Sequence, residues 1–519
     1  MLQVKNLTIT HRKDLRTIIK DFTWALNPGD KAVVIGEEGN GKSTFLKLLY
    51  DPALVEDYVE YSGEIIRDRL KLGYLYQELG GAHKAMTAAE YFQESPLFFD
   101  CDWGALARIA ARLGLPVDVF YSEQTVVSMS GGETVKLQLA RILMEQPDVL
   151  LLDEPSNDLD IETLEWLEQF IATCTMPVLF VSHDELLIER TANVIIHLEQ
   201  LRRKTLPRAT VARMPYETYA QTRQAKMEHQ TQVAKKERED YARQQERFRK
   251  IQQKVEHQQA SISRQDPHGG QLLKKKMHAV KSMERRFDRE FEDMTEFPDS
   301  EDAIALKWPE GIAFPNGKKV MDLCVTAQQM TECIGRSFPA DVRLAVNGPE
   351  KVCIIGSNGV GKTTFLRMAA NELLARKDIR AAYMPQNYEE RLNLSATPVE
   401  FLCHVGDKAE VSKIRTFLGS MKYTPEEMDH PAGALSGGQK AKLFFLQMIL
   451  DGCNVLVLDE PTRNFSPLSG PVIRGLLAAY PGAIISVSHD RKYMQEVCTK
   501  IYRLGSDGLQ PVDFQLVER

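Results

Sequence analysis

The chain carries one set of motifs twice, and that duplication restricts its possible folds more than any other feature. GEEGNGKST at 36–44 returns as GSNGVGKTT at 356–364, SMSGGE at 128–133 as ALSGGQ at 434–439, VLLLDEP at 149–155 as VLVLDEP at 455–461, and VSHD at 181 recurs at 487. Ser130, Glu154 and His183 reappear at a constant offset of 306 as Ser436, Glu460 and His489, whereas Lys42 and Lys362 are 320 apart. A period this long marks a duplicated domain, since solenoid units repeat within about 50 residues. With 519 residues the chain is too long for one ordinary core. The expected fold class is therefore α/β: two tandem phosphate-loop domains, at 1–203 and 304–519, joined by a basic helical-hairpin linker at 204–303.

In each copy a short β-branched run, Ala32 to Ile35 or Val352 to Ile355, leads into a glycine-rich loop, and a helical stretch starts near Phe45 or Phe365. Strand, loop and helix in that order form a phosphate-binding element. Gly36, Gly39 and Gly41, with Gly356, Gly359 and Gly361, let successive backbone N–H groups face a triphosphate, and the helix adds its positive end. Lys42 and Lys362 are expected at the outer phosphates, with Thr44 and Thr364 beside them. Ser43 and Thr363 are expected to ligate magnesium through their hydroxyls. The apolar runs at 150–152 and 456–458 end in paired carboxylates. Adjacent residues at a strand end can face different ways, so one carboxylate can hold magnesium while its neighbour orients or deprotonates water. Asp153 and Asp459 take the first role in this reading, Glu154 and Glu460 the second.

Composition narrows the classes further. No run of about 18 apolar residues occurs, and the first residues lack the pattern of a secretory leader. The expectation is a cytoplasmic protein with no membrane span. The eight cysteines lie far apart without a Cys-x-x-Cys pair, as reduced packing residues would. The net charge of −7 argues against a polyanionic partner on average, but residues 204–286 hold 20 basic and 9 acidic side chains. That segment, at +11, is suited to a polyanion, while the remainder, at −18, repels one.

Phosphate loop, a Gln after a strand (Gln77 in YLYQE, Gln386 in YMPQN), SGGE or SGGQ, DEP and SHD together resemble the motif set of ATP-binding-cassette ATPases. The resemblance implies an ATP hydrolase using ATP and Mg2+, with two cassettes packed head to tail inside one monomer. Lys42 would then face Ser436, Gly437 and Gly438, and Lys362 would face Ser130, Gly131 and Gly132. Gln77 and Gln386 would sense magnesium, and His183 and His489 would contact the γ-phosphate. Two cassettes on one chain with a basic connector look like the ABC-F subfamily, whose members act on the ribosome.

The connector itself reads as a helical hairpin. Ala220, Met227, Ala234, Tyr241, Phe248, Val255 and Ile262 recur every seven residues, and Leu273, Met277, Val280, Phe287 and Phe291 mark a second face. Pro267, Gly269 and Gly270 break the pattern between them, and the first arm would reach about 60 to 70 Å. Lys274, Lys275, Lys276, Arg285 and Arg286 cluster beside the turn. DPHGG followed by LLKKKM resembles the family element that reaches toward transfer RNA in the ribosomal P site. Only 35 residues separate Lys42 from Gln77, and 30 follow His489. The lack of an inserted arm and of a long extension looks more like the antibiotic-resistance branch than the arm-bearing housekeeping one. An ATPase subunit of a membrane transporter, or a DNA-repair or chromosome ATPase, shares the motifs. A transporter needs no long basic hairpin, however, and the repair enzymes carry zinc-binding cysteines or a far longer coil.

The copies differ after DEP. Ser156 to Asp160 read SNDLD, close to the family pattern, whereas Thr462 to Ser466 read TRNFS, so Arg463 and Ser466 replace its Asn and Asp. This loop crosses toward the opposite phosphate loop in the family, so the Lys42 and Lys362 sites are expected to be unequal. His11 is a candidate to stack on adenine.

Overall fold

In a computed structural model, residues 1–201, 205–261 and 306–513 are described, with isolated positions between 275 and 298. The chain divides into two compact units, residues 1–216 together with 301–519, and residues 217–300.

The first unit holds both repeats, each built on a six-stranded sheet. In spatial order the first sheet runs Leu72–Leu75, Val149–Asp153, Val178–Val181, Lys31–Ile35, Val194–Gln200, Leu206–Ala212. The second runs Ala381–Met384, Val455–Asp459, Ala483–Val487, Lys351–Ile355, Lys500–Gly505, Gly508–Val512. Within each sheet only the last pair is antiparallel. The strands around each phosphate loop are buried along their whole length, as a parallel sheet covered on both faces requires. In such sheets ligands bind beyond the carboxyl ends of the strands, and both DEP motifs lie there.

The sheet places the end of the first cassette later than expected. Leu206–Ala212 pairs with Val194–Gln200, so the cassette continues past 203. The strand is mostly exposed or half-buried and carries Pro207 opposite Gln200, features tolerated at a sheet edge and therefore hard to distinguish from linker.

The copies also differ in their smaller sheets. The first has three antiparallel strands, Leu2–His11, Thr17–Leu26 and Val59–Ile66, and the second has two, Lys319–Val325 and Val342–Asn347. In the second copy the helix Ala327–Ile334 stands where the first has a short turn.

The second unit is dominated by one helix, Tyr216–Ser261, of 46 residues, about 70 Å long at 1.5 Å per residue. Ala220, Met227, Ala234, Tyr241 and Phe248 form its covered stripe, while Lys226, Lys235, Lys236, Arg243, Arg247 and Arg249 are exposed. The backbone N–H of Thr295 donates to Glu237 at 2.7 Å, and Arg238 lies 4.0 Å over the Phe297 ring, so the chain has returned alongside this helix by residue 295. Lys275 is exposed and helical. The expected breakers Pro267, Gly269 and Gly270, the apolar face from Leu273 to Phe291, and Lys274, Lys276, Arg285 and Arg286 lie outside the described residues. Among the described residues, no helix is long and apolar enough to cross a membrane.

Candidate nucleotide sites

Each phosphate loop owes its path to glycine. Gly36 has φ 147°, and a Cβ there would lie 2.3 Å from the carbonyl oxygen of Leu198. Gly41, at φ 82°, caps the helix Lys42–Tyr50, and Gly361 caps Lys362–Ala375 in the same conformation. Both loop lysines are buried and curl back over their loops. Lys42 Nζ donates to the Gly36 and Glu37 carbonyls at 2.9 and 3.1 Å, and Lys362 Nζ to those of Gly356 and Ser357 at 2.8 and 3.0 Å. A cavity of about 330 Å³ opens at the first loop, lined by Gly39, Gly41 and residues 42–44 with Gln77, Glu154 and His183. A larger one of about 490 Å³ opens at the second, lined by Gly359, Gly361 and residues 362–364 with Gln386, Asp459, Glu460 and His489. His11, the adenine-stacking candidate, is hydrogen-bonded to Asp14 at 3.1 Å.

Both DEP strands end with a backbone reversal at the glutamate, which in the second copy sets both carboxylates on one cavity and in the first only Glu154. Glu154 and Glu460 adopt φ values of 50° and 51°, the left-handed region that non-glycine residues enter at a cost of about 1–2 kcal/mol. The environments they meet are unlike. Asp153 accepts hydrogen bonds from Ser43 Oγ at 2.8 Å and from the Tyr74 hydroxyl at 2.9 Å. Glu154 lies 3.0 Å from His183 Nε2. Burial pushes its carboxyl up, but His183 and then Lys42 outweigh that and hold it below the ordinary range. His183 Nδ1 donates in turn to the Phe465 carbonyl of the other repeat at 2.7 Å.

In the second copy the same groups are slack. His489 Nε2 is 3.7 Å from Glu460, and its Nδ1 has no hydrogen-bond partner among the described residues. Burial and the Asp459 charge push Glu460 up to about 8, against a backbone N–H from His489. Burial and Lys362 push His489 down to about 3. Neither Asp459 oxygen makes a hydrogen bond of ordinary geometry, and the nearby Thr363 hydroxyl only partly offsets the burial that pushes its carboxyl up to about 6.

The two repeats meet across these cavities. Gly131 and Asp158 of the first line the Lys362 cavity, and Arg463 and Asn464 of the second line the Lys42 cavity. Gly438 N–H donates to Glu38 Oε2 at 2.9 Å, which brings the second SGGQ motif onto the first phosphate loop. Glu37 Oε1 accepts from Ser466 Oγ at 3.0 Å and from Ser469 Oγ. Arg463 donates a hydrogen bond to Asp158 Oδ2 at 3.0 Å and forms an ion pair with its Oδ1 at 3.0 Å, joining the two loops after DEP. Asp160 caps the helix Ile161–Thr173 through Thr163, and its charge is felt at Lys362 and His489. Farther along, buried Arg491 pairs with Glu168, and Arg474 with Glu185 at 2.8 Å.

A protein-family model described as "ABC transporter" matches residues 19–157 and 340–463, both repeats. The chain belongs to the ABC transporter family. Similar proteins include ABC transporter F family member 2 of Arabidopsis thaliana, 26% identical over 95% of this chain and 75% of that protein. ATP-binding cassette sub-family F member 3 of Rattus norvegicus is 26% identical over 91% of this chain and 67% of that one. Among solved structures, the RNase-L inhibitor superposes with a TM-score of 0.57 over 97% of this chain and 89% of its own, at 14% identity. The archaeal ribosome recycling factor aABCE1, in complex with the ribosomal stalk protein aP1, gives 0.58 over 98% and 89%, also at 14%. This cassette protein is an ATP hydrolase, and its sequence resembles the F branch over nearly its whole length.

Sequence reasoning missed Tyr74, which anchors Asp153, and the buried Arg474 and Arg491 pairs. It also passed over Glu37 and Glu38, although a signal was present: the corresponding loop residues in the second copy are Ser357 and Asn358.

Proposed function

We propose that this twin-cassette ATPase binds the ribosome in its ATP state and acts on translation through the basic linker, close to transfer RNA. The observation that carries the reading is a helix of about 70 Å with a basic exposed surface, inserted between two cassettes whose signature and phosphate loops meet. A site divided between cassettes makes nucleotide part of their interface, so binding favours the closed pair and hydrolysis releases it. Basic helices recognise RNA mainly through phosphates and shape. Similar proteins carry F-branch names, and two structural neighbours are titled as a recycling factor of the ribosome and as ribosome-bound. The protein would act in the cytoplasm as a monomer with intramolecular cassette pairing. Protection of the ribosome against antibiotics is the narrower form of this reading and rests on the short Lys42–Gln77 segment.

Within each site, Glu154 and Glu460 would orient or deprotonate the attacking water, and His183 and His489 would contact the γ-phosphate, with His183 also holding Glu154. Magnesium would be held by Ser43, Asp153 and Gln77, and by Thr363, Asp459 and Gln386. These are hard oxygen donors of the kind that ion takes, and the unbonded Asp459 oxygens fit it best. When bound, the ion would neutralise phosphate charge.

The test is sedimentation through sucrose with ATP of the Glu154→Gln, Glu460→Gln protein mixed with ribosomes, membranes or DNA. It should travel with ribosomes and be retained longer than the parent, and failure to do so in ATP overturns the reading. Changing Lys274, Lys275 and Lys276 to Gln should weaken ribosome binding and reduce its salt dependence while sparing basal ATPase.

A further inference from the structure

The two phosphate loops present opposite chemistry to the opposing cassette. In the first copy the residues after Gly36 are Glu37 and Glu38, and in the second those after Gly356 are Ser357 and Asn358. The loops after DEP differ in the reverse sense, with Asp160 in the first copy and Ser466 in the second. At the Lys42 site the acids therefore lie on the phosphate-loop side of the interface, and at the Lys362 site on the signature side.

Their partners follow from this placement. Glu38 Oε2 accepts the Gly438 N–H at 2.9 Å, at the start of the helix Gly437–Leu450, and a Cβ on Gly437 would lie 2.9 Å from the same oxygen. Glu37 is held by the Ser466 and Ser469 hydroxyls, a pairing that an acid at 466 would oppose. The equivalent Asn358 donates its amide to the Asp158 carbonyl and brings no negative charge. At the Lys362 site Asp158 is paired with Arg463, and Glu133 and Asp160 cap helices through Ser130 and Thr163.

We propose that Glu38, on a loop anchored by Glu37, is a specificity-determining residue of the Lys42 site. Its carboxylate takes the signature-helix N–H that the terminal phosphate of a nucleoside triphosphate would otherwise receive, so this site favours a nucleoside diphosphate. The proposal rests on the reading of Lys42 and the opposing signature as one nucleotide site. A helix start stabilises one anion well, and a second anion brought beside Glu38 meets like charge. The Lys42 cassette thus stays engaged with its partner when only a diphosphate is bound, and discrimination for the triphosphate belongs to the Lys362 site.

The experiment is calorimetric titration of the full chain carrying Lys362→Ala, with AMP-PNP and with ADP. Adding Glu38→Asn should raise the AMP-PNP affinity relative to ADP about tenfold, the equivalent of about 1.4 kcal/mol. The converse change, Asn358→Glu in a Lys42→Ala chain, should lower that ratio at the Lys362 site by a similar factor, and it gives an independent answer if Glu38→Asn folds poorly. A change under threefold in both chains overturns the proposal. If Lys42→Ala leaves the number of nucleotides bound per chain unchanged, the underlying site assignment falls and the proposal with it. If Lys42→Ala removes one nucleotide while the ratios stay fixed, the proposal alone is overturned.

Discussion

The Lys42 and Lys362 sites share motif, fold and strand ends, yet differ in how tightly their reactive groups are held. Around Lys42, Glu154 is clamped by His183, His183 by the Phe465 carbonyl, and the loop acids by the opposing cassette. Around Lys362, His489 is 3.7 Å from Glu460 and the cavity is larger, about 490 Å³ against 330 Å³. A duplicated motif set thus keeps one framework while contacts across the interface give each copy its own surroundings. In the proposed role of base, which is most effective with a pKa near the working pH, Glu460, pushed up to about 8, would be nearer to it than Glu154, held below the carboxylate range.

The largest expected effect comes from removing the two glutamates singly. Glu460→Gln should lower kcat by about 100-fold or more, the scale of a lost general base, whereas Glu154→Gln should cost less than about tenfold. The first should also prolong residence on the ribosome more than the second. Equal losses in both measurements would show the two sites to be equivalent while leaving the ATPase assignment standing.

An intermediate effect is expected from the exchanged acids. Ser466→Asp restores the residue found at Asp160 but sets a carboxylate against Glu37, so it should destabilise the paired cassettes by about 1–2 kcal/mol, and Glu37→Ser in the same chain should recover most of that loss. The check is a double-mutant cycle on the thermal midpoint. Additive effects would show that Glu37 and Ser466 act independently.

Much of the fold was legible because phosphate loop, signature and DEP are local: each needs its glycines, caps or strand-end acids within a few residues. The heptad stripe from Ala220 to Phe248 was legible for the same reason, and all five residues lie on the covered face. The edge strand Leu206–Ala212 was not, because Pro207 near its start demotes the run and its mostly exposed or half-buried residues form no core-facing stripe. Nor were the contacts of Glu37 and Glu38, whose partners lie more than 390 residues away in the chain. Periodicity carries no information on such pairs. The departure of Arg463 and Ser466 was visible, but only the structure shows that Arg463 binds Asp158 and that Ser466 receives an acid relocated to the other loop.

The smallest effect is on stability against pH, where the two glutamates should act with opposite signs. Glu460 is raised from 4.5 to about 8, so between those values the unfolded chain has released a proton that the folded chain retains. Stability therefore falls as pH rises through this window. Asp459 at about 6 completes most of its own titration below it, and His489, near 3 in the fold against 6.5 when unfolded, opposes the decline only near pH 6.5, which leaves the fall between pH 7 and 8 to Glu460 within this site. Glu154 is lowered, so its contribution is present above 4.5 and is lost as pH falls through its folded value. Glu460→Gln should accordingly flatten the decline of the thermal midpoint between pH 6.5 and 8, by about 2 °C, and leave the acid limb unchanged. Glu154→Gln should do the reverse, reducing the loss of stability below about pH 4.5 with no change on the alkaline side. Identical midpoint profiles for the two variants would mean that the two glutamates feel the same surroundings, contrary to the tight and slack His–Glu pairs that distinguish the sites.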